Sequence, residues 1–161
     1  MKQILPEKIC LNCQGCCRFA QAATVWAPHL LDKEIKALSK KLATGLISCD
    51  KRILPVASNN RDIFFCPFLN QQDNKCKIYI HRPFECQLYP FLINRSAGKI
   101  YLAVDTNCHF AKEKFSAQPF KDHAAYLACL LTTGKFHRLL KDNPQIIQPY
   151  PGAVNIAEIK V

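Results

Sequence analysis

The sequence has few glycines and no long apolar run. Five glycines in 161 residues are too few for a collagen-like or flexible low-complexity chain. No apolar stretch reaches the ~18 residues that a transmembrane helix needs, so no membrane contact is expected. The residues before Cys10 also lack the apolar run of a signal peptide. There is no GxSxG, P-loop, GxGxxG or HExxH motif, which leaves the common hydrolase, nucleotide-binding and zinc-protease classes without support.

Cysteine, in contrast, is abundant, with ten residues. An even number of cysteines is compatible with disulfides in a secreted protein, but the lack of a signal peptide favours a reducing cytoplasm, where clustered thiols bind metals. The length allows a real apolar core. We therefore expect one cysteine-cluster metal-binding domain over residues 1–161, with its core in 10–140 and an extended surface tail over 142–161.

The formal net charge of +10 invites the hypothesis of a nucleic-acid partner. Two features argue against it. The basic residues are scattered rather than gathered in a run, and bound thiolates add negative charge, about −2 overall for a four-thiolate zinc site or an oxidised four-iron cluster. We expect part of the basic excess to offset thiolate charge, through the side chains close to cysteines in sequence: Arg18, Lys75, Lys77 and Arg82.

Four cysteines lie within eight residues near the amino terminus, and we call this run the nest: Cys10, Cys13, Cys16 and Cys17. Thiolates are ligands for zinc and iron, and a two-residue gap lets neighbouring cysteines turn onto one centre. Gly15 is expected to supply backbone angles that residues with a Cβ seldom adopt. Because adjacent side chains diverge, at most one of Cys16 and Cys17 is expected to bind the same centre, so further ligands must come from later in the chain.

The remaining pattern predicts an α+β fold: a small, irregular, metal-stapled single domain with short β-hairpins and two to four helices. Apolar residues four, three and four apart predict an amphipathic helix within 28–42, ended by Gly45. A second helix is predicted over 120–140, interrupted or ended near Gly134. Pro83 disfavours helix at the residue before it, so one short turn is expected on either side of it.

Two hairpins are predicted. Extended segments over 47–56 and 61–65, separated by a turn signal at 58–60, would bring Cys66 to the end of the first hairpin. A polar turn follows over 70–75. Segments 89–94 and 99–105 flank the turn signal at 96–98, which places Cys108 and His109 just beyond the second strand.

Read together, these cysteines stand in a recognisable pattern. The nest is followed by Cys66-Pro67-Phe68-Leu69, by Cys76-Lys77-Ile78-Tyr79, by Arg82-Pro83-Phe84-Glu85-Cys86 with Leu88-Tyr89-Pro90-Phe91, and by Cys108. This pattern resembles the CxxCxxCC family, also called YkgJ-type, of zinc- or iron-chelating proteins. The resemblance runs from Cys10 to Cys108. One departure is visible, because Gln87 stands where arginine is common in the family.

The resemblance implies eight metal ligands: Cys10, Cys13, Cys16, Cys17, Cys66, Cys76, Cys86 and Cys108. Eight thiolates can form two four-cysteine sites, or one site with some cysteines left over. Cys49 and Cys129 fall outside the pattern and are not expected to be ligands; Cys129 is expected to behave as a small apolar residue of a helix. His81 and His109 are expected to be surface or supporting residues rather than ligands.

The spacing favours an iron–sulfur cluster over zinc. Structural zinc sites usually present two tight cysteine pairs, whereas here only the nest is tightly spaced. Cys10, Cys13 and Cys16 match the first three ligands of a ferredoxin-type run, and Cys66-Pro67 matches the cysteine-proline step of such sites. An apolar shell is expected to shield the cluster, and its candidates are Phe64, Phe65, Phe68, Leu69, Tyr79, Tyr89 and Phe91.

Three functions follow as hypotheses, and no catalytic residue can be named. The first is a cytoplasmic protein that holds an iron–sulfur cluster, such as a [4Fe–4S] cluster, and acts in electron transfer or as an accessory to protein modification. The second is a methylase-like enzyme acting on protein side chains, implied only because flagellin lysine methylases carry a similar cysteine set. The third is a zinc-stapled module that binds protein or nucleic acid. The first two imply an unidentified protein partner or substrate.

Overall fold

The computed structural model of the chain describes residues 1–13, 15–38, 45–59 and 62–160. Within these ranges, short helices and two three-stranded antiparallel sheets form an α+β fold, which confirms the predicted class. None of the described helices is both long and apolar enough to cross a membrane. The chain divides into two compact units: a cysteine unit, Pro6–Gln87, and a sheet unit, Met1–Leu5 with Leu88–Val161. The expectation of a single domain stays a prediction.

The helices and strands of the cysteine unit are short. In chain order they are α1 (Glu7–Asn12), β1 (Arg18–Phe19), α2 (Asp32–Leu38), β2 (Val56–Ala57), β3 (Phe64–Phe65), a 3₁₀ turn (Tyr79–His81) and α3 (Phe84–Leu88), whose last residue belongs to the sheet unit. The sheet has the order β1-β3-β2. The first predicted hairpin is confirmed in the β2–β3 pair, and Cys66 directly follows β3. Of the extended segment predicted over 47–56, only Val56 lies in β2, because Ile47 and Ile53 form a bridge with each other across a turn.

The predicted features around these elements are confirmed where the structure describes them. The two turns flanking Pro83 are the 3₁₀ turn and α3. Gly45 has a φ of +96°, a left-handed angle that favours glycine and suits a helix end. Of the helix expected within 28–42, α2 covers Asp32–Leu38, while residues 39–44 lie outside the described ranges.

One apolar cluster holds the cysteine unit together. Its buried members come from the loop before α2, from α2 itself and from three later segments: Leu30, Leu38, Ile53, Phe68 and Ile78. Cys66 and Cys76 pack against this cluster. Two predicted ligands therefore stand on the best-packed part of the unit.

The sheet unit is built on β4 (Phe91–Ser96), β5 (Lys99–Val104) and β6 (Val154–Glu158), in the order β4-β5-β6. The predicted hairpin is confirmed, with Ala97 and Gly98 at φ of 49° and 75° in its two-residue turn. Twin positive φ angles are typical of the turn that matches strand twist. Three helices follow: α4 (His109–Lys114), α5 (Gln118–Leu131) and α6 (Gly134–Asp142). The interruption expected near Gly134 is confirmed.

Two expectations about the fold are wrong. The segment 142–161 is not an extended surface tail, because it carries β6, which pairs with β5, and because Ile146, Gln148 and Ile159 are buried. The described residues also form six α-helices rather than two to four. The additional helices have five or six residues, too few for a helical period to show in the sequence.

Candidate metal centre

The nest begins on α1 and ends directly before β1. Cys10 lies in α1, and the backbone N–H of Cys13 closes that helix by donating to the carbonyl of Cys10 at 3.2 Å. Gly15 has no left-handed φ, and a Cβ added there would meet Cys13 Sγ at 3.5 Å, an ordinary contact. The expectation that Gly15 supplies special backbone angles is therefore wrong.

Cys16 and Cys17 act as a hydrogen-bonded pair, so the expectation that these two adjacent side chains diverge is wrong. The Cys16 thiol bonds to the Cys17 sulfur, which lowers the pKa of Cys17 and raises that of Cys16 well above its ordinary value. Burial works against the thiolate at both residues, and the Arg18 guanidinium favours it at Cys17. These interactions favour the thiolate of Cys17, which is the form that binds metals.

The small sheet brings Cys66 to the nest. Arg18 is paired with Phe65 in the β1–β3 register, and beyond that pair the Cys66 N–H donates to the carbonyl of Cys17 at 2.9 Å. Burial, with a contribution from the negative charge of Cys17, raises the pKa of the Cys66 thiol to about 12. A pairing between residues almost fifty positions apart in sequence therefore places two predicted ligands side by side.

Cys76 and Cys86 approach the same place from two further segments. Cys76 forms an isolated β-bridge with Leu69, and the Lys77 N–H donates to the carbonyl of Phe68 at 2.8 Å; these two contacts fix the loop segment that carries Cys76. Cys86 lies in α3. Burial raises the pKa of both thiols, and the charge of Cys17 raises each of them as well.

Cys17 is the centre of this group. Its charge acts on the thiols of Cys10, Cys66, Cys76 and Cys86, in addition to its bond with Cys16. Cys13, whose charge acts on Cys10, belongs to the cysteine unit as well. Seven of the eight predicted ligands therefore lie in this unit. Burial and mutual repulsion disfavour thiolates here, and a bound cation is what reverses that balance.

Two arginines supply positive charge to the group. The Arg82 guanidinium lies 3.9 Å from the centre of the Tyr79 ring and opposes the burial that raises the pKa of Cys10 to about 11 and the pKa of Cys76. Arg18 lies 5.5 Å from the centre of the Phe65 ring and donates to Asn74. The expected charge compensation is thus found at these two arginines, each held on an aromatic ring.

Three polar residues that brace this unit were not expected from the sequence. The Glu34 carboxylate accepts hydrogen bonds from the N–H groups of Leu31, at 2.9 Å, and Phe84, at 2.8 Å, and thereby joins the start of α2 to the start of α3. The Glu85 carboxylate accepts from the N–H of His29. The His29 side chain is 4% exposed, with Nε2 3.4 Å from Asp50 Oδ2. Together these bonds fix the helix that carries Cys86.

The other candidates lie apart from this group or are exposed. Cys108 lies in the sheet unit, buried at the start of α4, and its place in the ligand set stays a prediction. Cys49 is exposed. Cys129 is exposed too, so the expectation that it packs as an apolar residue is wrong. The side chains of His81 and His109 lie on the surface, as expected.

The described thiols are neighbours rather than a finished ligand shell. Among the described residues, no three Cys, His, Asp or Glu side chains are arranged as they are around a metal ion. All ten cysteines are described, and all are free thiols rather than disulfides. The donor set fits a soft metal centre, because it offers thiols from the nest and three later segments, two of which pack on the apolar cluster.

Fold and site together define a class: an α+β protein in which most of the predicted cysteine ligands lie in one compact unit. The family comparison specifies it. The CxxCxxCC family model, described as "putative zinc- or iron-chelating domain", matches residues 9–115, so the chain belongs to that family. This confirms the resemblance drawn from the cysteine pattern and supports metal binding by cysteines. No curated protein matches the chain. No solved structure matches it either.

Proposed function

We propose that the cysteine unit holds an iron–sulfur cluster of the [4Fe–4S] type, and that the protein acts in electron transfer or as an accessory to protein modification. The observation that carries this proposal is the convergence of the nest, Cys66, Cys76 and Cys86 around Cys17. Membership of a family of zinc- or iron-chelating domains supports it. When bound, such a cluster supplies one-electron exchange.

The choice of iron over zinc depends on the ligand pattern. Cys10, Cys13 and Cys16 have the spacing of a ferredoxin-type run, whose fourth ligand comes from another segment. Cys66 and Cys86 are the nearest candidates for that ligand, since the charge of Cys86 acts on Cys16 and Cys66 bonds to the backbone of Cys17. A structural zinc site would require two tight pairs, and the later cysteines of this chain each stand alone.

The surrounding residues suit a charged cluster. Arg18 and Arg82 offset the negative charge of the thiolates, and the apolar cluster under Cys66 and Cys76 restricts water. Both properties bear on the reduction potential of a bound cluster. The ten free thiols fit the reducing cytoplasm that we propose as the compartment. A protein partner or protein substrate completes the proposal.

The test is purification without oxygen, followed by an absorption spectrum and by iron, sulfide and zinc analysis. We expect a brown protein with broad visible absorption and matching amounts of iron and acid-labile sulfide. A colourless protein that contains zinc alone would remove the iron–sulfur proposal in favour of a zinc-stapled module. Reduction with dithionite should bleach the visible absorption, since the cluster then takes up an electron.

A further inference from the structure

An apolar groove lies in the sheet unit, between α5 and β6. Its volume is about 390 Å³, within the range of ligand-binding clefts. Its walls include Phe115, Phe120, Ala124, Ala125, Ala128 and Ile156. The alanines of α5 leave space that larger side chains would fill, so the groove is wide enough to accept an apolar side chain from outside.

The strand beside the groove has a free hydrogen-bonding edge. Among the described residues, β6 pairs with β5 alone, whereas the outer side of β4 is bridged by Gln148, whose carbonyl accepts from the Arg95 N–H at 2.9 Å. β6 contains no lysine or proline, the residues that commonly protect an edge. Val154 at its start is 40% exposed. This edge is therefore able to accept a further strand.

Lys121 is the one charged residue among the described residues that line the groove. Lys114 precedes Phe115, and Lys160 follows β6. Of the nearby carboxylates, Glu158 is paired with Lys99 at 2.9 Å, while Glu113 and Asp122 keep their negative charge, since Gln118, which donates to Asp122 at 2.7 Å, is neutral. A lysine in an otherwise apolar groove is complementary to a carboxylate of a bound ligand.

We infer that the sheet unit binds an extended acidic peptide segment of another protein. The segment adds a strand to the open edge of β6, places one apolar side chain in the groove and directs a carboxylate to Lys121. In this mode of recognition the backbone hydrogen bonds supply affinity and the pocket supplies specificity. The inference is independent of the metal centre, because every residue that carries it lies in the sheet unit.

The test uses a defined peptide probe with the full-length protein as purified. A fluorescein-labelled peptide that alternates glutamate with valine and has one central phenylalanine is titrated by fluorescence anisotropy. We expect saturable binding, at least tenfold tighter than that of the same peptide with lysine in place of glutamate. Replacement of one valine by proline should weaken binding by a similar factor, because it removes a backbone donor.

Variants locate the site. Ala125 and Lys121 are exposed, so Ala125→Phe and Lys121→Glu leave the core intact, and each should weaken the acidic peptide at least tenfold. Lys135→Glu, at an exposed position of α6, is the matched charge control and should change binding less than twofold. Equal binding of the acidic and basic peptides, no binding of either, or an unaffected Lys121→Glu variant overturns the inference. If the protein instead dimerises through β6 and the dimer cannot bind the peptide, the edge belongs to a second copy of the chain, and the inference is overturned as well.

Discussion

Cys17 shows how one residue can organise a site that its neighbours in sequence do not reveal. Its thiol accepts a hydrogen bond from Cys16, lies next to Arg18 and interacts with the charges of four later or earlier cysteines. Sequence spacing alone makes it the least regular member of the nest. The fold makes it the central one, because β1 begins at the next residue and aligns it with Cys66.

Replacing this residue should therefore disturb the proposed run of Cys10, Cys13 and Cys16. We expect Cys17→Ser to hold less metal and to be less stable than the wild type, because the Cys16 thiol loses its sulfur partner and because binding energies of order 10 kcal/mol for structural metals exceed the usual net stability of a domain. Metal analysis and thermal unfolding measure both effects. Cys49→Ser is the matched control, since Cys49 is free and exposed. Equal metal content in the two variants would count against the central role of Cys17.

His29 gives a pH dependence with a definite sign. Burial, with a contribution from Arg52, lowers its pKa below the ordinary 6.5, although Asp50 acts in the opposite direction. As the pH falls, His29 therefore takes up its proton at a higher pH in the unfolded chain than in the folded chain. Stability from the neutral His29 is present above about pH 6.5 and is lost as the pH falls toward its lowered pKa.

We expect the free energy of unfolding of the wild type to fall below pH 6.5 more steeply than that of His29→Gln, by at most about 1.4 kcal/mol per pH unit. Urea unfolding at a series of pH values measures the difference. The remaining histidines and the cysteines are present in both proteins, so their contributions to the pH dependence cancel in the comparison. Parallel stability curves for the two proteins would show that His29 ionises normally.

At the scale of elements, Glu34 joins two helices that are distant in sequence. Its carboxylate accepts from the N–H groups of Leu31 and Phe84. Glu34→Ala leaves two N–H groups at the helix starts without this partner. We expect it to lower the free energy of unfolding, measured with urea, by about 1–3 kcal/mol. Glu7→Ala, at an exposed position in the first turn of α1, is the control and should change stability by less than about 0.5 kcal/mol. Similar losses in the two variants would contradict the proposed capping.

Substitutions at two adjacent positions of the β4–β5 turn are expected to change the stability of the protein in opposite directions. Ala97 has a φ of 49°, a left-handed angle that costs an alanine energy, and Gly98 has a φ of 75°. Ala97→Asn should raise the unfolding temperature slightly, with a gain below about 1 kcal/mol, while Gly98→Ala should cost about 1–2 kcal/mol. Thermal unfolding of the two variants beside the wild type measures both. A loss in Ala97→Asn would mean that the turn has another geometry.

How well each element could be predicted depended on how local its signals are. The β4–β5 hairpin follows from its turn residues, and the nest follows from cysteine spacing. β6 was missed because it follows a proline-rich stretch and pairs with β5 about fifty residues earlier. Glu34 and Glu85 were missed for a similar reason, since their partners lie 50 and 56 residues away. Helix periodicity also could not show that Cys129 faces solvent.

At the scale of the whole molecule, the single tryptophan provides a probe of metal dependence. Trp26 lies in the cysteine unit, so its fluorescence reports on that unit. If the proposed cluster is present, its oxidative breakdown followed by chelation should shift the Trp26 unfolding transition to lower temperature, because the thiolates lose the cation that offsets their repulsion. Protein reconstituted with iron and sulfide should regain the original transition. A transition unchanged by metal removal would mean that the centre contributes nothing to the fold.

The order of the two units along the chain has a consequence for synthesis. The sheet unit combines Met1–Leu5 with Leu88–Val161, so the cysteine unit is an insertion within it. During translation the nest, Cys66, Cys76 and Cys86 all leave the ribosome before β6 exists, and domains tend to fold in the order in which they emerge. Metal binding by the nascent cysteine unit is therefore possible before the sheet unit is complete, whereas the sheet unit can fold only once β6 has been made.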